Sequence, residues 1–268
     1  MPAVTLGRVI AAALSSALLL SSSLPAIAAD APAAPPAIDS ALESLMVASD
    51  PAVGTAAVTT AKVRLPACEV KDELTRYHKV KQWKKTLLDT NLKLKPDYQP
   101  WDLVSVRRAD IAGSGKVRAK MIKDLKALAA AARKAGKPLA VRSAWRSYDY
   151  QKALFSSYVR TYGRAQALKF SARPGHSEHQ MGTTVDFTVG PGVPLSTKFG
   201  DSPSGKWLAR NGWKYGFIMS YPKGKRSASC YGYEPWHWRY FGRDLARKIH
   251  LSGQVPRRYL YQNFETAP

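Results

Sequence analysis

Two short segments carry the residue types that a hydrolytic metal centre requires. The first reads Ser-Glu-His-Gln-Met-Gly-Thr-Thr-Val-Asp over residues 177–186, and the second reads Glu-Pro-Trp-His-Trp over residues 234–238. Two imidazoles and one carboxylate are a common ligand set for catalytic zinc and leave a fourth position for water. The three candidate ligands are His179, Asp186 and His237. A further carboxylate, Glu234, can take and return the proton that peptide hydrolysis moves.

The residues that follow the first segment's glycine alternate as in a half-buried strand. Between residues 182 and 189, Val185 and Phe187 lie on one face and Asp186 lies on the other. This pattern predicts a strand that separates a core face from a site face. Thr184 shares the site face with Asp186, which places a second polar group there.

The second segment fits a regular strand less well. Glu234 and His237 are three residues apart, so a regular strand would point them to opposite faces. Pro235 cannot donate to a strand ladder, and the metal hypothesis requires an irregular entry here that turns both side chains inward. Each residue also has a structural interpretation, since an isolated histidine is commonly a hydrogen-bonded structural residue and Asp186 could belong to a turn or a salt bridge.

The two segments and several others resemble one known family. SEHQMGTTVD is similar to the S-x-H-x-x-G-x-A-x-D motif, and EPWHW to the distal E-x-W-H motif, of the VanY-type zinc D-alanyl-D-alanine carboxypeptidases in the lysostaphin/carboxypeptidase/hedgehog fold group. The further matching segments are residues 98–104, 143–147 with Gln151, 172–175, 213–217 and 220–222. The resemblance covers roughly residues 70–250. Thr184 stands where Ala is usual and Trp145 where Tyr is usual, which puts a substrate contact of that Tyr in doubt.

The resemblance implies a role for each matching residue. It implies one zinc ion bound by His179, Asp186 and His237, with Glu234 activating the zinc water. Arg146 is implied to stabilise an oxyanion or to grip a substrate carboxyl, because a guanidinium stays charged and offers several donors. The implied substrate contacts are Gln151, Ser171, Ser177 and Tyr221. Ser177 can instead be a turn residue and Tyr221 a packed aromatic, and His176 is expected either behind the metal ligands or at the pocket rim.

Around these motifs the sequence predicts helices and short strands without a regular βαβ rhythm. The predicted helices cover residues 116–135, 147–162, 204–211 and 243–250. The predicted strands cover residues 139–143, 182–189, 213–220 and 233–241. We expect an α+β fold with a small, mostly antiparallel sheet flanked by helices and with the zinc site in a cleft on the sheet.

The N-terminus indicates export. Residues 1–28 have a short apolar run and an Ala-Ile-Ala cleavage pattern typical of a signal peptide, although an uncleaved signal anchor is an alternative. Residues 29–66 are an Ala/Pro-rich linker, and residues 67–262 are the expected zinc peptidase domain. Export permits a disulfide between the two cysteines, Cys68 and Cys230, and the alternative is two separate buried thiols.

The charge balance narrows the class of partner. The 268 residues include 41 Lys and Arg against 19 Asp and Glu, a formal net charge of +22. Such a surplus attracts polyanions, and export favours anionic wall polymers over nucleic acid. No internal apolar run is long enough for a transmembrane helix, so no membrane span is expected once the signal is removed.

The expected function combines the motifs with the compartment. We expect a secreted or wall-associated zinc D,D-carboxypeptidase that removes the terminal D-alanine from peptidoglycan stem peptides. An L,D-carboxypeptidase and a peptidoglycan endopeptidase share the same motifs and remain alternatives. A zinc-containing wall-binding protein without catalysis is a further alternative, which the presence of both Glu234 and Arg146 disfavours.

Overall fold

The computed structural model describes residues 64–266. The predicted signal peptide, nearly all of the predicted linker and the last two residues lie outside that range. Within it, no helix is both long and apolar enough to cross a membrane.

The described chain alternates short strands with helices. The strands are β1 (Glu73–Leu74), β2 (Leu92–Lys93), β3 (Leu103–Ser105), β4 (Ala112–Gly113), β5 (Lys116–Arg118), β6 (Ala140–Ser143), β7 (Thr184–Thr188), β8 (Phe217–Met219) and β9 (His237–Tyr240). The α-helices are α1 (Ile122–Lys134), α2 (Tyr148–Tyr162), α3 (Arg164–Phe170), α4 (Lys198–Asp201), α5 (Pro203–Asn211), α6 (Arg226–Ser229), α7 (Arg243–Leu251) and α8 (Pro256–Leu260). Short 3-10 turns connect several of them, including Glu178–Met181 immediately before β7.

A five-stranded sheet in the order β4-β6-β7-β9-β8 forms the centre of the fold. Only the β4–β6 pair is parallel, and the other three pairs are antiparallel. The remaining strands form two small two-stranded sheets, β1-β2 and β3-β5. The predicted α+β class with a small, mostly antiparallel sheet is confirmed.

One face of the central sheet packs against helix α1. Val185 and Phe187 of β7 are fully buried, as predicted from their alternation, and they belong to the same core cluster as Leu125 and Leu128 of α1. The ring of Phe187 meets that of Phe217 from β8 edge-on at 6.1 Å. Burying these side chains fixes the register of β7 and therefore the direction in which Asp186 points.

Two predicted elements had wrong boundaries. The helix predicted from residue 116 starts only at Ile122, because Lys116–Arg118 pairs with Leu103–Ser105 as a strand. The strand predicted over residues 233–241 is confined to His237–Tyr240, because the four residues before it turn instead of extending. In both cases apolar spacing identified buried positions correctly but could not identify the backbone partner.

Apart from the start of one strand, the other predicted elements agree closely with the structure. Ser147 caps α2, since its hydroxyl accepts from the backbone N–H of Tyr150, and α2 ends at Tyr162 as expected. Helices α5 and α7 and strand β6 lie within one residue of their predicted positions. The predicted strand over residues 213–220 begins late, because a 3-10 turn occupies its first residues and only Phe217–Met219 is extended.

The two ends of the described chain are joined to the domain. Cys68 and Cys230 form the expected disulfide, with 5.3 Å between their Cα atoms. Buried Arg257 of α8 donates to Asp89 at 2.6 Å and to the carbonyl of Pro66 at 3.1 Å. The segment that precedes the domain core is therefore fixed covalently through Cys68 and by the hydrogen bond from Arg257 to Pro66.

Candidate metal centre

Neighbouring strands and one turn bring the three predicted ligands together. Asp186 of β7 lies directly opposite His237 of β9 in the antiparallel register. His179 lies in the 3-10 turn that ends at Gly182, where φ is +69°. A Cβ at Gly182 would lie 2.9 Å from the side chain of Leu103, so glycine is required both for the left-handed backbone and for the close packing.

The distances among the three donors fit a tetrahedral metal ion. His179 Nε2 lies 3.3 Å from Asp186 Oδ2, and His237 Nδ1 lies 3.5 Å from Asp186 Oδ1. Two ligands bound to zinc at their usual lengths and at a tetrahedral angle are about 3.3 Å apart. All three donor atoms lie within 4.8 Å of one another, and all three residues are buried. Among residues 64–266, the buried Nε2 of His179 has no hydrogen-bond partner, which is consistent with a role as a ligand atom.

The second ring nitrogen of each histidine is held by a hydrogen bond. His179 Nδ1 lies 2.5 Å from the carbonyl of Ala144, which can only accept, so the Nδ1–H donates and Nε2 is free to ligate. His237 Nε2 lies 2.9 Å from Glu178 Oε2, which leaves Nδ1 to face Asp186. Such outer contacts set the tautomer and the ring orientation of a metal ligand.

Glu178 is a functional candidate that the sequence analysis missed. Besides His237, its carboxylate accepts from Ser220 Oγ at 2.6 Å and from Arg239 at 3.0 Å. Burial by itself would raise the pKa of Glu178, but Arg239 and His237 outweigh burial and lower that pKa to about 2. The only signal in the sequence was its position next to His179, which does not reveal a partner on another strand.

Burial and nearby charges also shift the pKa values of the three candidate ligands. Burial, followed by the nearby Arg146, lowers the pKa of His179 to about 4. Burial also opposes the ionised form of Asp186, but the two histidines outweigh burial and lower the pKa of Asp186. For His237, burial is outweighed by Asp186 and Glu178, which raise its pKa to about 10.

A tight turn directs Glu234 and His237 to the same side. The backbone N–H of His237 donates to the carbonyl of Glu234 at 3.1 Å, so the chain around Pro235 folds back before β9 begins. Glu234 Oε2 consequently lies 3.5 Å from His237 Nδ1. The irregular entry that the metal hypothesis required is present. Burial raises the pKa of Glu234 to about 7, which suits a group that must take and release a proton near neutral pH.

The site opens into a cleft of about 850 Å³. Its walls include His179, Asp186, Glu234, His237 and also Arg146, which follows β6 and whose backbone N–H donates to the carbonyl of His179 at 3.3 Å. The structure therefore brings the predicted ligands, the predicted base and the predicted cationic group into one concave surface.

The four predicted substrate contacts also line this cleft; they are Gln151, Ser171, Ser177 and Tyr221. The amide nitrogen of Gln151 donates to the carbonyl of Ala172 at 2.7 Å, while its buried Oε1 has no partner among residues 64–266. The Tyr221 ring packs on His237 with 4.6 Å between centroids. The Ser177 hydroxyl accepts from the backbone N–H of His179 at 3.3 Å, so Ser177 is a turn residue as well as a wall residue.

Three other expectations concern residues that lie away from the cleft. Thr184 is fully buried and does not line the cleft, although it shares the polar face of β7. Trp145 is likewise absent from the cleft wall. Of the two positions expected for His176, the rim is wrong, because His176 does not line the cleft. Its ring is buried between the carbonyl of Asp89 at 2.8 Å and the carboxylate of Asp72 at 2.9 Å.

Comparison with known sequences identifies the family. The VanY family profile, described as D-alanyl-D-alanine carboxypeptidase, matches residues 114–243. YodJ of Bacillus subtilis (strain 168), which carries the name of a carboxypeptidase, is 38% identical over 169 residues. That match covers 61% of this chain and 62% of YodJ, so the chain spans less than two thirds of that relative.

Solved structures agree with that assignment. The L,D-carboxypeptidase LdcB is 32% identical, with a TM-score of 0.62, and the match covers 72% of this chain and 98% of LdcB. A second solved structure is a mutant of VanY, a D,D-pentapeptidase from a VanB-type vancomycin resistance cassette, in complex with Zn(II). It is 27% identical to this chain, with a TM-score of 0.57, and the match covers 66% of this chain and 99% of the VanY chain. This chain belongs to the VanY family of D-alanyl-D-alanine carboxypeptidases.

Proposed function

We propose that this protein is an exported zinc D,D-carboxypeptidase that removes the terminal D-alanine from peptidoglycan stem peptides. One observation carries the proposal: a buried His-Asp-His cluster lies at the wall of a cleft, with a carboxyl 3.5 Å from one of its donors and an arginine on the same wall. The family and the zinc-bound VanY relative support the choice of metal and reaction.

The three candidate ligands suit zinc, and Glu234 is left as a separate carboxyl beside them. A zinc ion held by His179, Asp186 and His237 would supply Lewis acidity toward a peptide carbonyl and would make water more acidic. Glu234 is proposed as the base that takes the proton of the attacking water and then gives it to the leaving amine. Its pKa of about 7 allows both transfers near neutral pH.

Arg146 and the cleft walls are proposed to hold the substrate. Arg146 is placed to stabilise charge that develops on the carbonyl oxygen or to bind the terminal carboxylate of the peptide. Gln151, Ser171, Ser177 and Tyr221 are proposed as further contacts, since all four line the cleft. The unpartnered buried Oε1 of Gln151 is suited to accept from a backbone N–H of the peptide.

A second candidate reaction follows from one comparison. LdcB is an L,D-carboxypeptidase, and its identity and TM-score to this chain are both higher than those of the VanY mutant. An L,D-carboxypeptidase would remove the D-alanine that ends a tetrapeptide stem. An endopeptidase and a wall-binding protein without catalysis have no comparable observation in their favour.

Mass spectrometry of synthetic stem peptides separates these reactions. We expect the full chain with zinc to release one alanine from a pentapeptide stem, a chelator to stop the release, and added zinc to restore it. Release from the tetrapeptide alone would replace the D,D assignment by L,D. Release from neither peptide, with zinc bound, would overturn the carboxypeptidase proposal.

Substitution of Glu234 tests the base. Glu234→Gln keeps the size of the side chain but removes its ability to take a proton, so we expect kcat to fall by at least about 10²-fold. Zinc content should stay at the wild-type level, because Glu234 is outside the ligand set. Wild-type kcat in this variant would rule out the assignment, and the exposed Glu69→Gln variant controls for the loss of one carboxylate.

The proposed cellular location rests on the N-terminal sequence and on the net charge of the chain. The signal peptide predicted over residues 1–28 supports export. The surplus of 22 positive charges is suited to retention on anionic wall polymers. Neither the chemistry of the cleft nor an exported location calls for a nucleic-acid partner.

A further inference from the structure

The cleft continues beyond the metal cluster. A second cavity of about 470 Å³ lies against the disulfide, with Cys68 and Cys230 in its wall. Four residues line both this cavity and the main cleft: Lys169, Ser171, Arg226 and Tyr231. The two spaces therefore adjoin at these four residues, which we call the outer end of the cleft. The inner end comprises His179, Asp186, Glu234 and His237.

The carboxylates of the cleft lie near its inner end, whereas the charged groups of the outer end are cations. The carboxylates that line either cavity are Glu178, Asp186 and Glu234, all of them at or beside the inner end, and Glu178 is already paired with Arg239 at 3.0 Å. The charged groups of the outer end are the exposed Lys169 and Arg226.

Within residues 64–266 neither cation of the outer end has a carboxylate within ion-pair distance. Arg173, which lines only the second cavity, differs because it is paired with Asp72 at 2.7 Å. Lys169 and Arg226 are consequently the cations of this region whose charge is not compensated by a neighbouring side chain. Both are free to bind an anionic group that enters the cleft.

We propose that the outer end binds a free carboxylate of the peptide substrate, on a residue that precedes the scissile bond. This inference rests on the proposed function, because it assumes that the peptide bond to be cleaved lies at the inner end. The peptide would run from the metal cluster along the wall that α2 and α3 form, where Gln151, Tyr158 and Phe170 line the cleft. Its carboxylate would then meet a guanidinium and an ammonium, of which the guanidinium can bind both oxygens.

The chemistry of stem peptides supplies suitable carboxylates. A γ-linked D-glutamate keeps its α-carboxylate free unless the group is amidated, and a diaminodicarboxylic acid in the third position carries another. Amidation of the first, or lysine in place of the second, removes a negative charge with little change of shape near the scissile bond. Peptides that differ only in these groups are therefore matched probes of the outer end.

Steady-state kinetics on four pentapeptides test the proposal. The four combine D-glutamate or its α-amide with diaminopimelate or lysine, and all end in D-alanyl-D-alanine. We expect removal of one or both carboxylates to lower kcat/KM about fivefold, mainly through a higher KM, because exposed ion pairs contribute modestly and act before the chemical step. The difference should shrink as salt is added.

Two double variants assign the effect to the outer end. Lys169→Gln with Arg226→Gln should remove the preference for the acidic peptide and leave kcat/KM for the neutral peptide within twofold of wild type. Lys223→Gln with Lys225→Gln is the matched control, because both lysines are exposed, lie close to Arg226 in the chain and line neither cavity. The control should keep the wild-type preference.

The outcomes separate this inference from the proposed function. If the wild-type protein cleaves none of the four peptides, the proposed function itself fails. If it cleaves all four with kcat/KM values within twofold, the function holds and the inference is overturned. A preference that survives in the Lys169/Arg226 double variant also overturns it, because the carboxylate would then be recognised elsewhere.

Discussion

The inner and outer ends of the cleft are built in different ways. At the inner end, His179, Asp186 and His237 are buried and are held by further polar contacts, such as the bond from His237 to Glu178. At the outer end, Lys169 and Arg226 are exposed and have no ion-pair partner among residues 64–266. Under the proposed function, this difference predicts a division of labour, in which the inner end fixes the geometry for bond cleavage and the outer end influences which peptide binds.

The physical environment of each end accounts for this division. Charges in a buried site interact strongly and must be compensated by one another, so several contacts hold each group in place. Exposed charges are screened by water and salt, and they retain the rotamer freedom to follow different ligands. Changes at the two ends should therefore alter different measured quantities, which provides three ways to test the comparison.

The largest effect on stability is expected from the disulfide beside the outer end. The bond joins residues 162 apart in the chain, so its loss in a Cys68→Ser/Cys230→Ser variant should lower the free energy of unfolding by about 2–5 kcal/mol. Denaturant unfolding measures this loss. The zinc dissociation constant of the folded variant should stay within about threefold of wild type, because within residues 64–266 the candidate ligands make no hydrogen bond or ion pair with Cys68 or Cys230.

Reduction of the wild-type protein provides a second route to the same test. Under native conditions a phosphine reductant opens the bond without any substitution, so the zinc affinity can be measured even where the double variant expresses poorly. If opening the disulfide weakens zinc binding tenfold, the two ends are coupled and the division of labour is wrong.

The sequence predicted the residues of the inner end better than the residues that hold them in place, such as Glu178. The order and spacing of the motif residues predicted the ligand cluster, and the alternation around Asp186 predicted a strand whose core face is Val185 and Phe187. Those signals are local, because the alternation of a strand can be seen in consecutive residues. The motif positions of His237 and Glu234 predicted the cluster, but the turn that joins them was only a requirement of the hypothesis.

The missed features all depend on contacts between distant parts of the chain. Glu178 meets Arg239 61 residues later, and no local pattern pairs a carboxylate with an arginine on another strand. The start of α1 was wrong because Val117 fits both a helical period and a strand, and pairing of Lys116–Arg118 with β3 decides between them. The outer end was missed for the same reason, since Lys169 and Arg226 become neighbours of one cavity only in the fold.

The next largest effect is expected on zinc affinity, from a change at Glu178, which holds His237 at the inner end. Glu178→Gln replaces the charged acceptor of His237 Nε2 with a neutral amide and leaves Arg239 without its carboxylate, so we expect zinc affinity to fall 10- to 100-fold. Competition with a chromophoric chelator measures the affinity. The visible spectrum of the cobalt-substituted protein should shift as well, because the orientation of His237 changes, whereas a general loss of packing would not produce that signature.

Two comparisons sharpen the Glu178 test. Ser220→Ala removes one donor to the same carboxylate, at 2.6 Å, and should weaken zinc binding less than Glu178→Gln does. The preference for acidic over amidated peptides should remain unchanged in both variants, since neither residue lies at the outer end. Wild-type zinc affinity in Glu178→Gln would show that the carboxylate does not position the ligand.

The smallest effect is expected outside the cleft, at His176, which lies three residues before His179 in the chain. Its ring bonds to Asp72, which Arg173 and Lys93 also approach, at 2.7 and 3.6 Å. Burial outweighs the hydrogen bond to Asp72 and lowers the pKa of His176, while His176 and then the cations lower the pKa of Asp72 to about 2.

These shifts give a defined dependence of stability on pH. Below about pH 6.5 the unfolded chain takes up a proton at His176 that the folded chain resists, so the free energy of unfolding falls as the pH decreases. Asp72 stays ionised in the folded chain until much lower pH. Between pH 7 and 5.5 the loss due to His176 is at most about 1.4 kcal/mol. Denaturant unfolding across this range should show this contribution in the wild type and in the exposed-histidine control His250→Gln. In His176→Gln the loss should be smaller by that amount, while the contribution of other buried groups such as His179 remains. An unchanged slope in His176→Gln would show that His176 does not contribute to the pH dependence.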